Sequence, residues 1–477
     1  MEVVAFSELS EQPKKICNYE YGLFKFVYID NSGCKVYIAS NFDEIIAIVN
    51  NFDINTFGLS SIIQNSVAIP PQTIYKDVYI LPFSYGIQVG FLGNVISVKT
   101  IRETCLVKEF LSFGEQKFDS RTFGELMSNS VRNQFNKSSG VLLHSAGKDS
   151  NCIAIALAEN GYQNDVEFLS FKSAQNDESA ISKKIAYKLG FKHHTISLSQ
   201  NSRLNFKTYR STFEEFYQNV PFFTFDMLPL MAVFHSNVGL TEKTIFDGMG
   251  NDFYMGHIPS RREIQRYLFT KYLPLYRLPL LRRILPTKYK KYVSSPTECM
   301  GFPGLTYADA IKLFPQAENT FYDVNGLFNQ GGVRGYIENR ANIRGLVIDT
   351  LVFSFKSINA ASVYNAEASF PWVDKYLVNY MNGLAPNELY DLSNYRNKLC
   401  LRTYLKQKLG LDSDQMGKMP AGFKPSDFYS EEMLGEIFEC ESFSSSYIRK
   451  MSNDKEFISE IYFLALWLNR NKYAQRV

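Results

Sequence analysis

Residues 141–160 constrain the fold of this chain more than any other stretch. Val141-Leu142-Leu143 is apolar throughout, as a strand covered on both faces must be. Ile153 to Ala158 continue as a helix buried over much of its surface. Between them, Ser145-Ala146-Gly147-Lys148-Asp149-Ser150 forms a tight loop of mostly small residues. Ser145, Gly147 and Ser150 combine hydroxyl side chains with close backbone approach, and Asp149 or Ser150 is a good N-cap for the helix. Such a loop also suits an ordinary tight turn. Backbone N–H groups at a helix start, with two hydroxyls beside them, make a seat for an anion such as pyrophosphate. The Gly-x-x-x-x-Gly-Lys-Ser/Thr spacing of kinase and GTPase phosphate loops is missing, because only Ala146-Gly147-Lys148 precedes Asp149.

Around this unit the chain alternates strand and helix. Thr122 to Asn136 reads as a helix leading in, Val166 to Phe171 as a second buried strand, and Ala180 to Leu189 as a helix ended by Gly190. His194 to Leu198 and Thr244 to Phe246 read as further strands, with His193 and His194 at a strand edge rather than on a metal. This order specifies an α/β fold: a doubly wound parallel sheet with ligands at the carboxyl ends of its strands. After Phe246 comes Asp247-Gly248-Met249-Gly250-Asn251-Asp252, whose glycines permit close approach to phosphate and whose acid offers a carboxylate to Mg²⁺.

The N-terminal region, Tyr21 to Val98, is β-rich. Residues 22–29 and 34–40 flank the turn Asp30-Asn31-Ser32-Gly33 as a hairpin, and strands follow at Ser84 to Leu92 and Val95 to Val98. Helices are expected at Phe42 to Val49 and Asn55 to Asn65, and the part from Leu305 onward is helical and aromatic.

A length of 477 residues suggests two or three domains, and 45% hydrophobic with 21% charged residues describes a soluble globular protein. A net charge of +3 is too small to argue for nucleic acid. Seven scattered cysteines without a C-x-x-C pair fit a reducing cytoplasm and no zinc site. No signal peptide and no membrane-length apolar run is visible, so the expected location is cytoplasmic and no membrane contact is expected. Ser260 to Tyr292 carries ten Lys or Arg and one Glu, which suits either an anionic substrate or RNA, or a solvated amphipathic insertion.

Ser-Ala-Gly-Lys-Asp-Ser resembles the Ser-Gly-Gly-x-Asp-Ser loop of the ATP pyrophosphatases, with Ala146 in place of the first Gly. Ala146 is tolerable there if its φ is negative. Further motifs, in the same order, resemble asparagine synthase-type enzymes. Residues 69–86 look like the segment that closes their glutaminase domain, and residues 168–180 like their adenine-holding stretch. Asp247 to Asp252 looks like S-G-x-G-x-D, residues 364–374 like v-E-x-R-x-P-F-L-D, 395–402 like K-x-x-L-R, and 418–423 like R-P-K-x-G-F.

The resemblance implies a truncated, glutaminase-like α+β domain over residues 1–110 and a PP-loop synthetase domain with a helical C-terminal part over 111–477. It implies ATP held by Ser145, Ala146, Gly147, Lys148, Asp149 and Ser150, by the backbone of Leu169, Ser170 and Phe171, and by Gly248 and Gly250. Mg²⁺ would sit on Asp149 and Asp252. Catalytic roles fall to Glu367 and to Lys418 or Lys424, the latter pair because Pro420 stands where the motif has its Lys. Asp177 and Glu178 match the family's acidic pair and equally suit the first turn of a helix.

The departures are informative. Glu2 stands where the family's glutaminases have a nucleophilic Cys, so the N-terminal region is expected to be a structural platform that hydrolyses no glutamine. Met249 replaces the Glu or Tyr between the two glycines and cannot transfer a proton, and Phe253 replaces the acid beside the metal ligand. The chain thus resembles β-lactam synthetases and lasso-peptide cyclases more than asparagine synthetase. The implied activity is adenylation of a small-molecule or peptide carboxylate and amide formation with an amine from elsewhere, in specialised metabolite, peptide or glycan biosynthesis. A homodimer or a partner biosynthetic protein is compatible with this. Two rivals remain: a PP-loop enzyme adenylating RNA or a carrier for sulfur or amine transfer, and a catalytically dead scaffold.

Overall fold

The computed structural model describes residues 1–18, 24–49, 51–82, 85–92, 95–102, 114–172, 177–197, 206–225, 227–236, 238–255, 259–275, 304–320, 351–352, 354–391, 393–412 and 425–474, with isolated positions between 278 and 340. Seven strands come first: β1 (Glu2–Ala5), β2 (Lys14–Cys17), β3 (Phe24–Asp30), β4 (Lys35–Ala39), β5 (Val78–Pro82), β6 (Tyr85–Leu92) and β7 (Val95–Arg102). They form two antiparallel sheets, ordered β1-β4-β3-β5 and β2-β6-β7. The hairpin at β3 and β4 is as the sequence predicts, and its turn is held by Asp30, whose carboxylate accepts from the Gly33 N–H at 2.8 Å and the Ser32 hydroxyl at 2.7 Å. The short strands β1 and β2 are not announced by local alternation. Each gains its hydrogen bonds from a remote partner, β1 from β4 and β2 from β6.

Period-two alternation explains why both faces of β3 are covered. Val27 and Ile29 pack with Val4, Val36, Leu81, Ile87 and Val89. Phe24 and Phe26 point the other way, into a large core that includes Phe42, Phe222, Phe355 and Trp467. Phe42 and Phe222 rings lie 4.6 Å apart, and Phe222 stacks on Phe355 at 4.6 Å. The Tyr75 hydroxyl donates to the Pro221 carbonyl, and Tyr75 also meets Trp467 of the long helix Lys455–Arg470.

Five further strands, β8 (Gly140–Leu143), β9 (Val166–Lys172), β10 (His193–Ser197), β11 (Thr244–Phe246) and β12 (Glu367–Ser369), build one parallel sheet ordered β10-β9-β8-β11-β12. The fold is therefore α/β, with a parallel five-strand sheet and many helices. Val141 of β8 enters one core and its neighbour Leu142 the other, which is why the strand is apolar throughout. The helices Ser120–Gln134, Lys148–Glu159 and Leu399–Leu409 cover the Leu142 face. Phe206–Asn219, Ser354–Tyr364 and Lys455–Arg470 cover the other.

Chain order reverses at β8. The next strands, β9 and β10, extend the sheet to one side, and β11 then returns to the other side of β8. At such a switch point the loops leaving adjacent strands diverge and leave a crevice at their carboxyl ends. Here those loops are 144–147 and 247–251. Among the described residues, no helix is long and apolar enough to cross a membrane.

Candidate functional site

The loop after β8 is wired from within. The Ser145 N–H donates to Ser150 Oγ at 3.2 Å, and the Gly147 N–H donates to Ser145 Oγ at 3.0 Å. The helix begins at Lys148, so its N-cap is Gly147 and not Asp149 or Ser150, and no side chain caps its first turn. The expected caps fail because Ser150 turns back onto the loop and Asp149 turns to a lysine described below. The N-cap glycine brings no side chain to the first turn, and a helix start of this kind can offer N–H groups to an anion. Ala146 does not have a left-handed backbone, which meets the condition for alanine at that position.

A second loop closes on the first. A Cβ built on Gly248 would lie 3.1 Å from the Ser150 nitrogen, tighter than an ordinary contact, so glycine lets the backbone after β11 come close to the helix start without displacing it. Gly250 adopts φ +101, a left-handed conformation, and an added Cβ would meet Val373 Cγ1 at 2.6 Å.

Between the loops sits a buried charge cluster. Lys398 Nζ lies 2.9 Å and 2.8 Å from the two Asp149 carboxylate oxygens, 3.0 Å from Asn251 Oδ1 and 2.8 Å from Asp252 Oδ1. The Asn251 amide in turn donates to Asp149 Oδ1 at 2.7 Å. Only 7% of Lys398 is exposed. Burial alone would pull its pKa down, but Asp149 and then Asp252 outweigh that and hold it above the ordinary lysine range, so it stays charged. Lys398 itself has φ 54 and precedes the helix Leu399–Leu409. The Trp372 indole donates to the Asp149 carbonyl at 3.3 Å, and the Tyr254 hydroxyl to the Trp372 carbonyl at 2.9 Å. Nearby, burial raises the thiols of Cys152 and Cys400, the latter to about 12, so neither is poised as a nucleophile.

Beneath the loop lies a polar network. The Ala146 N–H donates to Glu178 at 3.0 Å, so the buried Glu178 anchors the loop from the helix Ser179–Leu189. Asn151 Nδ2 donates to the Gly147 carbonyl at 2.7 Å, which turns its Oδ1 toward His144 Nε2 at 3.0 Å. That places the His144 proton on Nε2 and leaves Nδ1 to accept from the Ser182 hydroxyl at 2.6 Å. Burial lowers His144 to about 4, so it is neutral at pH 7. Ser170 and Ser182 bring in His193 Nε2 at 2.6 and 3.0 Å, and His193 is also lowered to about 4, chiefly by burial. Among the described residues, no group of three or more His, Cys, Asp or Glu could hold a metal ion.

The predicted residues are thus partly brought together. Ser145, Ala146, Gly147, Lys148, Asp149, Ser150, Gly248, Gly250 and Asp252 meet at the switch point. Leu169, Ser170 and Phe171 lie toward the carboxyl end of β9, where the Leu169 carbonyl accepts from the His144 N–H at 2.8 Å. Glu367 is elsewhere. Register sets it level with Thr244 and Gly140, at the amino edge of the sheet, with its carboxylate accepting from Asn136 at 2.9 Å. There it lines a cavity of about 720 Å³ together with Lys25, Asp43, Phe222 and Asn365. Asp247 is buried, accepts from the Ser357 hydroxyl and, at 3.2 Å, from the Met249 N–H. Lys418 and Lys424 lie outside the described residues, as does Pro420.

Sequence reasoning missed Lys398, Asn251 and Trp372 as site residues. The only signal for Lys398 was its place at the head of the K-x-x-L-R run, and its partners are 146 or more positions away.

No protein-family model matches the sequence, and no curated protein matches it. Among solved structures, the U34-tRNA thiolase NcsA from Methanococcus maripaludis, with its 4Fe-4S cluster, is similar at 11% identity over 52% of this chain and 81% of that chain, with a TM-score of 0.19.

Proposed function

We propose that this chain is a PP-loop, asparagine synthase-type ligase that adenylates a substrate carboxylate, releases pyrophosphate and passes the acyl group to an amine. The observation that carries this reading is the meeting of two glycine-bearing loops at the switch point, where the start of a helix whose N-cap is glycine lies beside the converging carboxylates of Asp149 and Asp252.

In this reading the N–H groups at the start of the helix Lys148–Glu159 and the hydroxyls of Ser145 and Ser150 receive the β and γ phosphates. The carboxyl end of β9, at Leu169 to Phe171, borders the base. The substrate carboxylate attacks the α phosphate, the bond to the β phosphate breaks, and diphosphate leaves with its charge held by the loop. The amine then displaces AMP from the acyl adenylate. Met249 carries no proton-transfer group, so the proton that a neutral amine releases on forming the amide must go to another base or to the departing AMP phosphate. The cavity along β12 would receive a substrate, with Glu367 pairing with its ammonium group.

Asp149 and Asp252 are the residues that would hold Mg²⁺. Their fit rests on convergence: both carboxylates reach a single cationic atom at 2.8 Å, and two hard oxygen ligands plus phosphate suit this ion. When bound, Mg²⁺ supplies charge neutralisation on the leaving diphosphate.

The test is pyrophosphate release from ATP with a panel of carboxylic acids, followed by mass spectrometry of products after adding amines. Acid-dependent release with AMP formation is expected. The reading fails if no acid yields AMP and calorimetry detects no ATP binding that depends on Ser145 and Ser150. Glutamine hydrolysis by the purified chain would separately refute an external amine source.

A further inference from the structure

Lys398 stands where the proposed ligase would need its metal. Its ammonium meets four oxygens from Asp149, Asn251 and Asp252 at 2.8 to 3.0 Å. These are N–H···O distances, well beyond the ~2.1 Å that Mg²⁺ requires of its oxygen ligands. The arrangement is built in: the residue is buried, its backbone is left-handed at φ 54, and it is fixed at the start of a helix whose Cys400, Leu401, Tyr404 and Leu405 lie in the core.

Charge decides what such a site accepts. Two carboxylates and one ammonium leave a single negative charge, and a divalent ion added beside Lys398 would make the cluster positive in a place with little water. A polyphosphate changes the balance. It offers acceptors to Lys398 and additional oxygen ligands to the metal at once. Lys is suited to this exchange, since its flexible stem lets one compact charge move between partners.

We propose that Lys398 is an internal occupant of the cation position between Asp149 and Asp252: in the nucleotide-free protein its ammonium keeps divalent ions out, and metal is taken up only together with a polyphosphate. This rests on the reading of Asp149 and Asp252 as metal carboxylates. It makes metal and polyphosphate binding strongly and reciprocally coupled.

The test uses the full chain, Mn²⁺ and inorganic pyrophosphate, read by equilibrium dialysis and thermal unfolding. Wild type should retain no Mn²⁺ at this position when the ion is given alone, and its Tm should rise only when Mn²⁺ and pyrophosphate are present together. Lys398→Gln, which keeps a hydrogen-bond donor without the charge, should bind Mn²⁺ alone at least about tenfold more tightly than wild type and gain Tm from it. Equal Mn²⁺ affinity in the two proteins overturns the proposal. Should the variant not fold, wild type still decides: Mn²⁺ retained without pyrophosphate, and lost in Asp252→Asn, overturns it as well. If wild type responds to neither Mn²⁺ nor pyrophosphate in any combination, the phosphate-site reading itself is refuted, and this proposal with it.

Discussion

The Asn251 amide donates to Asp149 Oδ1 at 2.7 Å, and this hydrogen bond fastens the loop after β11 to the first turn of the helix after β8. Asn251 is buried and also accepts from Lys398 at 3.0 Å, so it satisfies both partners of the central ion pair. Asn251→Ala leaves the ammonium short of an acceptor and the carboxylate short of a donor. We expect a loss of about 1–3 kcal/mol in urea unfolding at pH 7. An unchanged midpoint would mean that Lys398 alone positions Asp149.

The two glycines of the same loop separate stability from ligand binding. Gly250→Ala places a side chain in a left-handed conformation and against Val373, and should cost about 1–3 kcal/mol of stability. Gly248→Ala adds a methyl group 3.1 Å from the Ser150 nitrogen, beside the N–H groups assigned to phosphate. Its Tm should fall less than that of the Gly250 variant, while its ATP affinity by calorimetry should fall more. The opposite ranking would argue against phosphate at the helix start.

How much of this was legible beforehand follows from where each signal lies in the chain. β8, the loop and its helix are adjacent in sequence, and their apolar runs and small residues announce them. The hairpin at Asp30 to Gly33 and the Gly190 helix end are equally local, and both occur as predicted. The N-cap is misread because propensity favours Asp149 and Ser150, whereas tertiary partners recruit both side chains elsewhere. β12 could be matched by motif, but only its pairing with β11 reveals that Glu367 lies at the amino edge. For Lys398 the K-x-x-L-R run gives only a position, for a related reason: what makes the residue special is burial between two loops far away in sequence.

The neutral histidine under the loop predicts acid sensitivity. An unfolded histidine titrates near 6.5, and His144 in the fold near 4. Between those values the unfolded chain binds the extra proton, so stability falls as pH drops from about 6.5 toward 4 and is unaffected by this group above 6.5. The full effect is about 3 kcal/mol as an order of magnitude, with His193 adding a smaller contribution of the same sign. His144→Gln should therefore show a flatter decline than wild type when urea midpoints are compared between pH 7 and pH 5. Parallel declines would mean that protonation of His144 does not drive the loss.

Trp372 offers an optical reading of the phosphate loop. The chain has two tryptophans, and both are buried: Trp467 donates to the Val220 carbonyl at 3.1 Å, far along the chain from the loop, while Trp372 donates to the carbonyl of Asp149 itself. A ligand that draws on the first-turn N–H groups shifts the backbone at Asp149, and the indole hydrogen bond at 3.3 Å must lengthen or shorten with it. In Trp467→Phe, whose remaining tryptophan emission comes from Trp372, titration with ATP or pyrophosphate under tryptophan-selective excitation should change fluorescence intensity and saturate. In Trp372→Phe the same titration should leave emission flat while calorimetry still detects binding. A signal that survives in Trp372→Phe and vanishes in Trp467→Phe would locate the ligand on the other face of the sheet, against the core that holds Trp467.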